Sequence, residues 1–479
     1  MEKAHQRISE LEFQLAQYKR LVYGQKRERF VADQNQMCLP FEMNPDQVQQ
    51  QEEEVKEKLS FERRKRKSAH QGRMPLPDHL EVREVEIFPE EDYSDMVCIG
   101  QEVTDELEYE PAKFYIKRYI RYKYAPKSQE GVLIGSLPAR VIEKGIPGSS
   151  LLAILGVEKY MDHLPLFRIQ QRFKREKIPI PSSTIGGWMR QLLELIDIVH
   201  QCMLEDTRAK GYLQVDETTI QVLDKAKKGT THRGYYWVYH CPVDGTVLFD
   251  YQPGRSTEAA QHILGGFKGY LQSDGYKVYE SYGKKEGVTH LFCMAHARRE
   301  FEKALDNDKQ RAETALLYIQ KLYAVERKAR EKKLTPEERK ELRLNESLPI
   351  INEYGKWLIK QYENPLVLPK SQIGKAINYS LSRWEGLCAY LHDGMLEIDN
   401  NLVENAIRPV AIGRKNYLFA GSHDAAQRAA GIYSFFAMCK YHEVNPYEWL
   451  KYTLENILDT KPSEIRKFYP QNYKKLHQG

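Results

Sequence analysis

At 479 residues and a net charge of +5, the chain is long enough for about two to four domains with a large core, and it is not a uniformly basic protein. Its seven cysteines are scattered without paired spacing, which argues against a disulfide framework and predicts a reducing cytoplasm. No apolar run approaches the roughly 20 residues of a membrane span, and the charged N-terminus, lacking an apolar stretch, predicts no signal peptide.

Residues 1–30 predict a helix. Ile8, Leu11, Leu15, Tyr18 and Val22 recur in the alternating three- and four-residue steps of a coiled-coil seam. Such a short helix is marginal alone. The seam therefore calls for a partner, either a second copy, giving a homodimer or higher assembly, or another part of the same chain. Residues 31–70 read as a charged linker, with acids ahead of the basic run Arg63-Arg-Lys-Arg-Lys67. Residues 71–135 predict a small strand-rich module, from β alternation over 81–88 and 114–124. The second strand interleaves Lys and Arg with aromatics, which suits a nucleic-acid surface and an ordinary exposed strand face alike.

Residues 145–205 read as helical. One helix is predicted over 160–173. Pro179 and Pro181 then bracket a turn, and Ser182 or Ser183 caps a second helix through Trp188. Two helices across a short turn resemble a helix-turn-helix. A helical lead-in packed on the next domain satisfies the same pattern, and Gly186 and Gly187 weaken a recognition helix.

Residues 206–300 begin an α/β core. Leu213, Val215, Ile220 and Val222 mark a strand over 211–223, and Asp216 sits inside it, where a carboxylate is costly unless compensated. Residues 237–250 predict a hairpin turning at Asp244-Gly245. Ser256 or Thr257 caps a helix through His262. A second short strand ends at Asp274, and Gly275 lets the backbone turn away. Both acids follow near-identical leads, Tyr212-Leu-Gln-Val and Tyr270-Leu-Gln-Ser. A strand over 288–293 precedes His296, Arg298 and Arg299. These are phosphate contacts on one reading, and a structural histidine with a solvated arginine pair on the other. Residues 301–385 predict a helical insertion, with a helix start at Thr335 and Pro336. The core resumes over 386–460, and 461–479 form a C-terminal tail.

The segment 397–422 is the most informative. Asp399, Asn400 and Asn401 are natural N-cap residues. A helix starting there places Glu404 and Arg408 on one face, with Asn401 on the same side. Pro409 predicts an end or kink, after which Arg414, Lys415 and Asn416 follow in a glycine-containing turn. A capped surface helix with one ion pair meets the same description. Read with the two strands, however, Asp216, Asp274 and Glu404 converge on one sheet edge. Hard oxygen donors of this kind select Mg²⁺ or Mn²⁺, and a pair of such ions promotes in-line phosphoryl displacement. Glu217 is a poorer ligand, because strand alternation sends it to the opposite face.

These motifs, together with Arg233-Gly-Tyr-Tyr-Trp-Val-Tyr, Cys293-Met-Ala-His-Ala-Arg-Arg, Asp399-Asn-Asn-Leu-Val-Glu-Asn-Ala-Ile-Arg-Pro and Gly413-Arg-Lys-Asn-Tyr-Leu-Phe-Ala-Gly-Ser, occur in an order that resembles the TnpC-type transposases of the insertion-sequence sixty-six family. The resemblance covers nearly the whole chain. It implies a multidomain α/β protein with a ribonuclease-H-like DDE core, carrying Asp216, Asp274 and Glu404 as catalytic, metal-binding triad. Two Mg²⁺ (or Mn²⁺) ions would sit there. Arg408, Arg414, Lys415, Asn416, His296, Arg298 and Arg299 are the candidate DNA contacts. The implied partners are the element's terminal repeats, target DNA and accessory proteins of the same element, in a bacterial cytoplasm. Relatives also begin with a zipper-like helix and commonly carry a zinc module with two Cys-x-x-Cys pairs. The matching positions here are Asp95, Cys98, Pro126 and Gln129, so no zinc is predicted. A catalytically silent DNA-binding relative and a nuclease without strand transfer are the alternatives.

Overall fold

The computed structural model describes residues 145–223 and 230–477, with short pieces between 114 and 143. The coiled-coil seam and the linker lie outside the described residues, as does most of the strand-rich module. Of that module, a two-residue antiparallel pair is described, Lys123–Tyr124 with Leu133–Ile134. All elements below belong to the unit Arg118–Gly479.

Three helices lead in: α1 (Ser149–Tyr160), α2 (Leu166–Arg175) and α3 (Ser182–Arg208). The single helix predicted over 160–173 is instead broken. His163 takes a left-handed φ of 59°, and Pro165 then stands at the cap of α2, where its missing N–H removes no helical bond. α3 does start at Ser182, but Pro181 is its cap and neither serine makes a capping bond. It runs far beyond Trp188 because Ile185, Met189, Leu192, Ile196, Val199 and Met203 keep one face buried at helical spacing.

The central sheet has five strands. β1 (Tyr212–Leu223), β2 (Thr231–Cys241) and β3 (Thr246–Gln252) form an antiparallel meander. The turn falls at Asp244-Gly245 as predicted: Gly245 has φ 70°, and Asp244 Oδ1 accepts the Thr246 N–H at 3.1 Å. α4 (Thr257–Leu264) crosses to β4 (Gly269–Ser273), and α5 (Lys277–Gly283) crosses to β5 (Val288–Phe292). β4 runs parallel to β1, and β5 parallel to β4, giving the order β3-β2-β1-β4-β5.

A helical insertion follows: α6 (Met294–Ala304), α7 (Lys309–Glu331), α8 (Pro336–Leu342), a π turn over Arg343–Ser347, α9 (Leu348–Tyr362), α10 (Gln372–Ser382) and α11 (Trp384–Cys388). Thr335 and Glu338 form a full capping box at α8. This region has its own core around Phe301, Ile319, Leu322, Tyr354 and Ile377. The chain returns through α12 (Asn401–Tyr417), α13 (His423–Tyr441), α14 (Pro446–Asn456) and α15 (Pro470–His477). The last stretch is packed down, with Phe468 fully buried and its carbonyl accepting the Trp449 indole N–H at 2.8 Å. α4 and α5 cover one sheet face, where Tyr279 meets Trp237 edge-on. α12 and α13 cover the other, where the Tyr236 hydroxyl donates to the Ala426 carbonyl at 3.0 Å.

α12 departs from expectation. It does not end at Pro409 but continues to Tyr417, so Arg414 and Lys415 lie in its last turns rather than in a loop. Val403, Val410 and Gly413 are buried beneath it, and this contact with the sheet outweighs the one helical bond that proline removes.

A buried ionic knot ties the insertion to the segment ahead of α12. Arg343, fully buried, donates to Glu326 at 2.7 and 2.9 Å and to the carbonyls of Tyr390, Asp393 and Leu396 at 2.8 Å each. Arg339 bridges Glu326 at 2.6 Å and Glu397 at 2.8 Å. Burial alone would raise the Glu326 carboxyl, but the two guanidiniums outweigh it and hold it below its usual value. Glu326→Gln should strand the Arg343 charge and cost about 3–5 kcal/mol, read from the urea unfolding midpoint.

Candidate active site

The site is built on a pair of glutamines. Gln214 and Gln272 are register partners across the parallel β1–β4 pairing, and both are fully buried. Gln214 Nε2 donates to Gln272 Oε1 at 2.9 Å and to the Asp399 carbonyl at 2.9 Å. Gln272 Nε2 donates to the Glu397 carbonyl at 2.8 Å. The Tyr212 hydroxyl donates to Gln272 Oε1 at 2.5 Å and accepts the Glu397 N–H at 3.1 Å. Gln214 Oε1 accepts the Val403 N–H at 3.3 Å, one of the orphan donors of α12. The two strand leads thus clamp residues 397–403 onto the sheet.

This clamp changes the expected cap. Asn400 occupies the cap position but makes no side-chain capping bond. Asp399 instead accepts the Asn401 backbone N–H at 3.0 Å and its amide at 2.8 Å, and takes the Tyr323 hydroxyl at 2.6 Å. The Asn400 amide is wholly buried, and neither its oxygen nor its nitrogen has a hydrogen-bond partner in the protein.

Side chains two apart on a strand share a face, so Asp216 lies on the Gln214 side of β1. Its Oδ1 accepts the Glu217 N–H at 2.8 Å. Burial pushes the Asp216 carboxyl well above its usual value, and the charges of Glu217, Asp274 and Glu404 push it further. Asp274 follows β4, and Gly275 turns the chain with φ 94°. Asp274 Oδ1 accepts the Tyr276 N–H at 2.9 Å, and its carbonyl accepts the Tyr379 hydroxyl at 3.0 Å. Glu404 lies in the first turn of α12. Arg299 holds it at 2.8 and 3.4 Å, and Arg299 also donates to His296 at 2.9 Å. His296 Nδ1 lies 3.9 Å from the same carboxylate.

The carboxylates of Asp216, Asp274 and Glu404 are hard oxygen donors, the type that Mg²⁺ and Mn²⁺ select. The negative charges of Asp274 and Glu404 that bear on Asp216 would be relieved by a cation beside it. Among the described residues, however, no three His, Cys, Asp or Glu side chains are gathered closely enough to hold an ion. Glu404 carries Arg299 instead. Glu217 stands on the opposite face, held by Arg255 at 2.6 Å and by the Tyr279 hydroxyl at 2.7 Å, in line with strand alternation.

The candidate DNA contacts are divided. Arg408 and Lys415 are exposed on α12, and Asn416 is half-buried. Arg414 donates to the Thr219 carbonyl and, at 2.6 Å, to its hydroxyl, which binds α12 to β1. Arg298 pairs with Glu302 at 3.0 Å, while Arg299 and His296 sit at Glu404.

Residues 144–428 match the family model described as Transposase IS66 family, and residues 10–85 match one described as Transposase C of IS166 homeodomain. The chain belongs to the IS66 transposase family. Its similar proteins include three from Sinorhizobium fredii (strain NBRC 101917 / NGR234), each described as uncharacterized. y4qI is 32% identical over 98% of this chain and 90% of its own length. y4hP is 30% identical, over 98% and 89%. y4jD is 29% identical, over 99% and 96%. No solved structure matches. In this IS66 transposase the three acids and both clamp glutamines fall inside the longer family match.

Gln272→Leu should leave the Glu397 carbonyl and Tyr212 hydroxyl short of partners and cost about 1–3 kcal/mol in thermal or urea unfolding. Gln214→Leu should speed hydrogen exchange at the Val403 amide, measured by NMR or mass spectrometry; an unchanged rate would mean that the clamp does not hold α12.

Proposed function

We propose that the protein is a DDE-type DNA transposase with a ribonuclease-H-like core, cutting at the ends of a bacterial insertion sequence and joining them to target DNA. The observation that carries this reading is the placement of three acids within the family match, in the middle of β1, at the end of β4 and in the first turn of α12. The sheet order supports it, since a three-stranded meander extended by two parallel strands is the order expected of such a core. The helical insertion before the third acid supports it as well.

Asp216, Asp274 and Glu404 would be the residues that hold the metal ions. When bound, Mg²⁺ or Mn²⁺ would supply charge neutralisation and an activated oxygen for in-line displacement. For Glu404 to serve, it must leave Arg299, which is then free to hold a phosphate. Arg408, Lys415 and Asn416 would track the DNA backbone beside it, together with His296, Arg298 and Arg414. The N-terminal seam would pair two copies, and accessory proteins of the same element would join them on the terminal repeats.

Mg²⁺-dependent cleavage and joining of a labelled duplex bearing the element's own terminal repeat test this reading, wild type against Glu404→Gln. Joined products should appear with the wild type alone. Cleavage without joining would mark a nuclease, and binding with neither would mark a silent relative. Asp216→Asn should abolish cleavage and spare DNA binding. Without divalent metal it should also raise the melting temperature by about 2 °C, because it removes a buried like charge. Added Mg²⁺ should stabilise the wild type and not this variant.

A further inference from the structure

The sheet face that carries Asp216 also carries a hollow that the acidic site does not use. His240 is the register partner of Gln214 across the antiparallel β1–β2 pairing, and Val238 is that of Asp216. Register partners share a face, so His240 stands on the same side as the acid. There α12 and α13 leave a cavity of about 210 Å³ between themselves and the sheet. Tyr160, Phe249, Tyr433 and Phe436 are buried in its wall. Leu402, Asn405, Lys440 and Tyr441 are exposed and form its rim. An apolar cavity of about 150 Å³ takes up benzene, so this one has room for a flat ring with its substituents.

Two polar groups of the lining residues are short of partners. His240 lines the cavity, is 2% exposed, and its Nδ1 makes no hydrogen bond in the protein. Burial pulls the pKa of the ring down to about 4, so the imidazole is neutral near pH 7. Pro409 lines the cavity as well, and it has no N–H to donate to the Asn405 carbonyl four residues back. A purely aliphatic occupant would leave the His240 nitrogen buried and unpaired. The walls and the nitrogen together call for a ligand that is flat, apolar on its faces and able to hydrogen-bond at its edge. A nucleobase has all three properties. Its phosphate would meet the Lys440 ammonium at the rim.

We propose that this cavity is a nucleobase site, in which one base lies against Tyr433 and Phe436 with its edge toward His240 and its phosphate at Lys440. A free nucleotide and an unpaired nucleotide of a DNA strand both supply this chemistry. The second source rests on the reading of this chain as a DNA transposase, and the cavity itself does not. Leu402, Asn405 and Pro409 lie along one flank of α12, and helical spacing puts Glu404 on the opposite flank. A base in the cavity would thus stand about 10 Å from the acid, the width of a helix. That is about three nucleotide steps along a strand.

The test has two arms, both with the full chain and in EDTA so that no cleavage occurs. In the first, deoxyadenosine monophosphate and thymidine monophosphate are titrated by calorimetry. At least one should bind, and Lys440→Met should bring its affinity down to that of the nucleoside. In the second, fluorescence anisotropy compares a matched duplex of about 30 base pairs with one carrying a single unpaired adenine or thymine. The wild type should bind the interrupted duplex about tenfold more tightly. Ala437→Leu fills the cavity from α13, and should abolish nucleotide binding and the duplex preference while leaving matched-duplex binding and the melting temperature unchanged. His240→Phe removes the unpaired nitrogen, so it should fold at least as stably and weaken base binding about tenfold. Binding in the first arm alone makes a free nucleotide the occupant, and a preference in the second makes it a DNA strand; either supports the site if Ala437→Leu removes it. No base binding in either arm overturns the proposal, as does binding that survives Ala437→Leu. Indole binding as tightly as the nucleotides also overturns it, and would make the cavity a seat for an aromatic side chain. Cleavage is scored separately: a wild type that cuts DNA but binds no base loses the site and keeps the transposase, and the reverse result does the opposite.

Discussion

Two amide side chains facing each other across parallel strands hold this fold's working edge together. Gln214 and Gln272 bond each other, and then spend their remaining donors and acceptors on the backbone of residues 397–403. A glutamine suits this place because it offers both an acceptor and two donors without charge. An apolar residue would leave the carbonyls of Glu397 and Asp399 buried and unpaired, and a carboxylate would add to the negative charge already borne by Asp216. Three segments far apart in the chain are thereby fixed to one another by neutral groups, so that the fastening adds no charge beside Asp216.

Around this neutral centre the charges are sorted by depth. The deepest ions, Glu326 and Arg343, are fully compensated and serve to fasten the insertion. Glu217 is compensated on the far face of the sheet by Arg255 and Tyr279. Asp216 is the acid left with little beyond a single backbone N–H, and Glu404 keeps one exposed guanidinium. Strong pairing where the fold is braced, and weak pairing at Asp216 and Glu404, sets apart the carboxylates that the proposed reaction would use.

Much of this was legible in the sequence. Period-two alternation placed β1, the Asp244-Gly245 dipeptide placed the hairpin turn, and Thr335-Pro336 placed the start of α8, because each of these signals acts over a few residues. The twin Tyr-Leu-Gln leads stood out as well, although the glutamines' own task did not. Their partners lie far along the chain, and nothing local reports a hydrogen bond to the Asp399 carbonyl. The two errors of helix extent are opposite readings of a proline. At Pro409 the loss of one bond argued for a stop, and burial of Val410 and Gly413 against the sheet overrode it. At Pro165 the chain does break, where a left-handed His163 turns it ahead of the proline that caps α2. The pairing of Glu404 with Arg299 was equally invisible, because it joins the first helix of the insertion to α12, 105 residues further along the chain.

The continuity of α12 past Pro409 also limits how this chain can change over time. One residue added between Glu404 and Tyr417 would turn everything beyond it by about 100° and push it 1.5 Å outward. Arg414 would swing away from Thr219, and Ala420 would lose its place beside Val222. Substitutions along the exposed side of the helix cost little, whereas a change in its length breaks the register at both ends together. The helix is a fixed gauge, and descendants of this chain should vary in the spelling of these residues far more freely than in their number.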